Sequence, residues 1–136
     1  MNEFDKLIED EEKKKVKKGI NRAKKGYTKE KQIRDKLTKE GWLVVFKSTR
    51  TRFGAFDYAG LFDIVAYKGQ ERIYVSSKHL GAGNYYLSHQ KEITLFREEC
   101  GKEGESYELW LWDKPRWRGR GKNKYWNKGG WIIKKL

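Results

Sequence analysis

The sequence predicts an α/β fold: a mixed central sheet of four to five strands with helices packed against it. Three observations lead there. Two segments with helical spacing, residues 27–40 and 89–100, alternate with apolar runs of strand length. Two of those runs, Phe62–Ala66 and Ile73–Lys78, lie side by side across a tight Lys68-Gly69-Gln70-Glu71 turn. A chain of 136 residues has the size of one domain around one core.

Each element follows from its residues. Residues 1–25 alternate acidic and basic blocks (Glu9 to Glu12, then Lys13 to Lys15) with a thin apolar stripe of Phe4, Leu7, Ile8 and Val16. They read as a charged arm or a marginal helix ahead of a single domain over 26–136. In the helix over 27–40, Thr28 is the expected N-cap, Ile33 and Leu37 share one face, and Gly41 closes the last turn. Trp42 to Phe46 is a continuous apolar run, expected to be a buried strand. A loop with Arg50, Arg52 and Gly54 follows, then strands over roughly 62–67 and 72–78. Gly81 to Asn84 forms a loop, and Ser88 is placed to cap a helix over 89–100 with Ile93, Phe96 and Cys100 facing inward. Tyr107 to Trp112 alternates as a further strand, and Gly129-Gly130 introduces a last short one at Trp131 to Ile133.

Composition narrows the class. Hydrophobic residues make up 37% and charged residues 38%, so part of the chain is expected to be solvated. No run approaches the ~18 apolar residues of a membrane span, and no apolar signal peptide is evident. The single Cys100 cannot form an internal disulfide, which fits a reducing, cytoplasmic setting. The net charge of +13 is unevenly spread. Residues 27–113 hold fourteen basic and thirteen acidic side chains, whereas residues 114–136 hold nine basic and no acidic ones. Such a cationic end is a footprint for nucleic acid or an anionic surface; the plain alternative is a solubilising tail.

Three charged residues fall where cores rarely admit them. Glu30 precedes Ile33 and Leu37 by three and seven positions, on the apolar stripe of its helix. Asp63 opens one central strand, and Lys78 is expected to end its neighbour. Gathered at one end of a sheet, two oxygen donors suit Mg²⁺ or Mn²⁺, and a lysine can offset charge developing on a phosphate. In the alternative reading, Glu30 is an ordinary surface acid and Lys78 frays into solvent.

Gly26-Tyr27-Thr28-Lys29-Glu30, Gly41-Trp42-Leu43-Val44-Val45, Phe62-Asp63-Ile64-Val65-Ala66 and Val75-Ser76-Ser77-Lys78 together resemble the PD-(D/E)XK nuclease superfamily, and within it the archaeal Holliday-junction resolvases. The resemblance covers roughly residues 24–113 and rests on the order and spacing of four short motifs. It implies a restriction-endonuclease-like sheet, Mg²⁺- or Mn²⁺-dependent cleavage of branched DNA, and a homodimer suited to the two equivalent strands of a junction. It assigns Glu30 and Asp63 as metal-binding acids, the Ser77 carbonyl as a further ligand, and Lys78 as the motif lysine. Ser48 falls in the loop beside the scissile phosphate, and Lys31 follows the helix acid.

Ser76 departs from the pattern, which expects Glu, Asp or Gln at that position. A neutral hydroxyl removes one anionic ligand. Three readings stay open: a DNA-binding relative that no longer cleaves, a side chain exchanged to trap substrate, or completion of the site by Asp57, Glu71 or His79. His89 and Gln90 are assigned to the first turn of their helix rather than to catalysis.

Residues 114–131 contain seven cations, four aromatics and no acid. Arg116, Trp117, Arg118, Arg120, Lys122 and Lys124 are the candidate DNA contacts there, with Lys31, Lys47, Arg50 and Arg52 near the acid site. Trp131 is expected to pack on the sheet instead. The rival classes are a non-catalytic DNA-binding scaffold, a nuclease of the same superfamily with another DNA substrate, and a protein binding single-stranded RNA through the C-terminal aromatics.

Overall fold

Five segments pair into one sheet in the computed structural model, which describes residues 28–81 and 86–136. They are β1 (Leu43–Lys47), β4 (Ile64–Lys68), β5 (Glu71–Leu80), β6 (Glu105–Asp113) and β9 (Gly130–Lys135), in the spatial order β1-β4-β5-β6-β9. The pairings β1/β4, β4/β5 and β6/β9 are antiparallel, whereas β5/β6 is parallel. A parallel pair needs a long crossover, and α2 (Tyr86–Cys100) supplies it. The expected mixed α/β sheet flanked by helices is thus present. The charged arm expected over residues 1–25 lies outside the described residues.

Alternation along the strands divides the core between two faces. On one face α1, helical over residues 28–39, buries Ile33 and Leu37 against Ile64, Ala66, Ile73, Val75 and Trp110. On the other, Ile93 of α2 packs with Phe62, Val65, Tyr74, Tyr107, Leu109 and Leu111. Trp131 meets Trp110 and Trp112 edge to face at 5.7 and 5.1 Å, the packing role expected of it. Gly41, at φ +94°, ends α1, and the Trp42 N–H returns to the Leu37 carbonyl at 2.9 Å.

Several expectations are corrected. Thr28 is itself helical rather than a cap. β1 is an edge strand, so its apolar run is not buried: Leu43 and Val45 stay 68% and 47% exposed, and a register shift between Val44 and Phe46 breaks its ladder. The loop around Arg50 and Arg52 is a hairpin of β2 (Thr49–Thr51) and β3 (Gly54–Phe56). α2 begins at Tyr86, so Ser88 is inside the helix, and Cys100 at its end is exposed. Lys78 does not end its strand, because β5 runs two residues further to pair Leu80 with Asp113.

A second ribbon leaves the sheet after β6. β7 (Arg116–Arg118) and β8 (Tyr125–Asn127) pair around the short 3₁₀ turn η1 (Gly121–Asn123). Its base is fixed by Asp113, which is 7% exposed. Arg118 Nη2 donates to both Asp113 carboxylate oxygens at 3.2 Å, with Arg116 Nη2 3.7 Å from Oδ1. Gly129, at φ +66°, lets the returning chain pass so close to the Asp113 carbonyl that any Cβ would collide with it. Gly129→Ala is therefore expected to lower stability by at least about 1 kcal/mol, read from the urea midpoint.

Candidate functional site

Asp63 is held from three directions just before β4 begins. Its N–H donates to the Val75 carbonyl at 2.9 Å, and its own carbonyl accepts from the Ser48 N–H at 2.7 Å. Its side-chain Oδ2 accepts from the Ser77 N–H at 2.7 Å. The carboxyl therefore sits just before the first β4–β5 pair, Ile64 with Val75, beside the part of β5 that runs on paired only with β6. Burial pushes its pKa from 3.8 up to about 7, partly opposed by the Ser77 hydrogen bond. The negative charges of Glu30 and Asp57 push it the same way, and Lys78 pulls it down. The charges of Glu30, Asp57 and Lys78 thus each reach the Asp63 carboxyl.

Strand geometry places the remaining residues. Ser76 and Lys78, two positions apart, share the face covered by α2, while Ser77 and His79 are on the α1 face. The register pairs Ser76 with Leu109 and Lys78 with Leu111, both on the α2 side. In an extended strand one residue's N–H and C=O point to the same side, so the Ser77 carbonyl lies on the β4 side of β5, as its N–H does. Ser48 Oγ donates to Asp57 Oδ1 at 2.5 Å, drawing the loop before β4 onto the end of β1.

Ser76 is 1% exposed and its hydroxyl lies 2.6 Å from His89 Nε2 on α2. Burial and then the Lys78 charge lower the His89 pKa, against Glu92, the Leu61 backbone and Asp57, which raise it. Lowering the pKa favours the neutral ring, in which one nitrogen donates and the other accepts, so the tautomer sets which way the Ser76–Nε2 hydrogen bond runs. Glu92 Oε2 is 3.9 Å from Nδ1, too far for a hydrogen bond. His89 lies in the first turn of α2, where the sequence places it, but its bond to Ser76 is not legible there, because the partner is thirteen positions away and only the α2 crossover joins them. Removing it should leave a buried hydroxyl unpaired, so His89→Ala is expected to cost about 1–3 kcal/mol by chemical denaturation.

Of the replacements considered for the missing acid, Asp57 is near. Glu71 is not: it opens β5 five residues before Ser76, roughly 16 Å along the strand. His79 is on the opposite face. The donors that remain for a cation are all oxygen: Asp63, Glu30, Asp57 and the Ser77 carbonyl. Carboxylates that raise a neighbour's pKa, as Glu30 and Asp57 do to Asp63, are a setting in which a hard divalent ion relieves repulsion. Among the described residues no group of three or more His, Cys, Asp or Glu side chains is arranged to hold a metal ion.

The expected phosphate contacts divide into groups. Lys31 and Lys47 line a groove between α1 and β1, together with Arg34 and Asp35. Arg52 is exposed at the β2–β3 turn, its guanidinium 4.8 Å over Phe53. Arg50 lies in β2. Arg116, Trp117, Arg118, Arg120, Lys122 and Lys124 all belong to the β7–β8 ribbon, and Arg118 is tied down by Asp113. The ribbon springs from Asp113, opposite Leu80, at the sheet end that carries Ser76 to Lys78.

Fold and site together define a mixed α/β sheet domain with an acid-centred polar site at one sheet end. No family model matches the chain, and neither a curated protein nor a solved structure matches it. Among the described residues, no helix is long and apolar enough to cross a membrane.

Proposed function

We propose that this chain is a metal-dependent endonuclease of the PD-(D/E)XK type, acting on branched DNA such as a four-way junction. The observation that carries this reading is the Asp63 carboxyl, bonded to the Ser77 amide of β5 and within the fields of Glu30, Asp57 and Lys78. Glu30, Asp63 and the Ser77 carbonyl would hold Mg²⁺ or Mn²⁺. The ion would polarise the scissile phosphate and acidify a bound water. Lys78, whose charge reaches Asp63, would offset the negative charge that develops on the phosphate as it is attacked. Ser48, clamped to Asp57, presents the β1 end to the same phosphate. Lys31, Lys47, Arg50, Arg52 and the ribbon cations hold the DNA backbone without reading its sequence.

Ser76 sets the expected rate. With its hydroxyl engaged by His89, position 76 offers no anionic ligand, and cleavage by this chain should be slow. The same hydrogen bond favours one second reading, a DNA-binding scaffold that does not cleave. Two equivalent strands in a junction suit a homodimer, and a DNA partner places the protein inside the cell.

The test is incubation of the full chain with a labelled four-way junction, a matched linear duplex and single-stranded RNA, with Mg²⁺, Mn²⁺ or chelator. Slow metal-dependent nicking of the junction supports the nuclease. Metal-independent junction binding without nicking supports the scaffold, and preference for the RNA overturns both.

A further inference from the structure

The β7–β8 ribbon presents two indoles side by side to solvent. Register places Trp117 opposite Trp126, so both project from one face of the ribbon. Their rings meet edge to face at 5.4 Å, yet they remain 58% and 51% exposed. Their strand neighbours Arg116, Arg118 and Asn127 belong to the other face and reach Asp113, with Asn127 Nδ2 at 3.5 Å from Oδ2. The ribbon is thus bolted to the sheet by its inner face, and its outer face is an aromatic step. Burying indole is among the larger apolar gains open to a side chain, so a fixed pair left in water is a surface awaiting a partner.

The charge around the pair indicates the partner's sign. Lys124 Nζ stands 5.3 Å over the Trp117 ring, and Arg120 and Lys122 occupy the connecting turn. No acid occurs after Asp113. An aromatic step ringed by cations matches a nucleic acid strand, whose phosphates meet the cations while bases stack on the rings. A paired base has no free face to offer; an unpaired one does. The position of the ribbon favours DNA over an anionic lipid surface. It rises from the sheet end that carries Ser76 to Lys78, where DNA held at the acid site would pass.

We propose that Trp117 and Trp126 form a stacking platform for an unpaired nucleobase, so that the protein selects DNA with bases free of the duplex. This rests on the DNA reading of the acid site, from which its test can be separated. Full-length protein is titrated with three fluorescent probes: a fully paired duplex, the same duplex with unpaired thymines at its centre, and vesicles of phosphatidylglycerol. The probes are repeated with Trp117→Ala/Trp126→Ala and with Trp117→Phe/Trp126→Phe. Wild type is expected to prefer the unpaired-base duplex by about tenfold or more, the range that one stacked base supplies. The alanine pair should lose that preference, and the phenylalanine pair should restore most of it. Equal binding of both duplexes by wild type, or an undiminished preference in the alanine pair, overturns the platform while leaving DNA binding intact. Vesicle binding that depends on the indoles, without any unpaired-base preference, assigns the surface to lipid. Failure to bind any DNA overturns the platform and the DNA reading together.

Discussion

Asp63→Asn is expected to make the metal-free protein more stable at pH 8 while removing its response to Mg²⁺. The unfolded carboxyl ionises near its ordinary 3.8, the folded one near 7, so between those values the folded chain binds more protons than the unfolded one. Stability therefore falls as pH rises from about 4 to about 7, and the full penalty stands above that window. The rise from 3.8 to about 7 corresponds to about 4 kcal/mol at most, and partial solvent access brings the expectation to about 2–4 kcal/mol. Asparagine keeps an oxygen for the Ser77 N–H and carries no charge, so the pH dependence across the window should flatten in the variant. In the wild type, Mg²⁺ at pH 8 should raise the unfolding midpoint with concentration, as a ligand of the native state does. The variant should show no such rise. Urea denaturation at pH 5 and pH 8, with and without Mg²⁺, measures all three effects. A variant less stable than wild type at pH 8 would contradict the electrostatic description of the site.

Ser76→Glu should have the second large effect. Position 76 shares the α2 face with Lys78 and lies one residue from the Ser77 amide that Asp63 accepts. A carboxylate there would add an anionic oxygen one residue from the Ser77 amide that holds Asp63. It would also meet His89, whose ring now bonds the serine hydroxyl, so the longer side chain has a polar neighbour in an otherwise closed environment. Mg²⁺ affinity is expected to rise by about tenfold or more, and nicking of a four-way junction should appear or accelerate by a similar factor. The variant should be somewhat less stable without metal, because a buried carboxylate is costly until a cation compensates it. A well-folded Ser76→Glu protein with unchanged Mg²⁺ affinity and no cleavage would place the active chemistry elsewhere.

Central features of the fold were legible because they depend on short-range patterns. The Lys68 to Glu71 turn between two apolar runs specified the β4–β5 hairpin, and the spacing of Ile33 and Leu37 specified the buried face of α1. Other features depend on neighbours that sequence does not display. β1 reads as buried because its residues are apolar, yet whether a strand is central or at an edge is settled by pairing order alone. The strands of β2–β3 and β7–β8 are three residues long, too short to show any period, and they lie in charged, glycine-bearing segments that read as loop. In the site, the action of the Glu30 and Lys78 charges on Asp63 could be anticipated from element order. The Ser76–His89 and Ser48–Asp57 hydrogen bonds could not, since each joins residues nine to thirteen positions apart through tertiary packing. Asp113 was the least visible of all: a lone acid before a basic segment gives no sign that it anchors a ribbon.

Direct binding of Mn²⁺ tests the central claim, because the ion is paramagnetic and its environment can be assigned residue by residue. Full-length protein at pH 8 would be titrated with Mn²⁺ while amide signals are followed by NMR. Broadening should centre on Asp63, Ser77 and Lys78, fade along β5 toward Glu71, and vanish in Asp63→Asn. Broadening centred elsewhere, or unchanged in that variant, would contradict the assignment of the acid site.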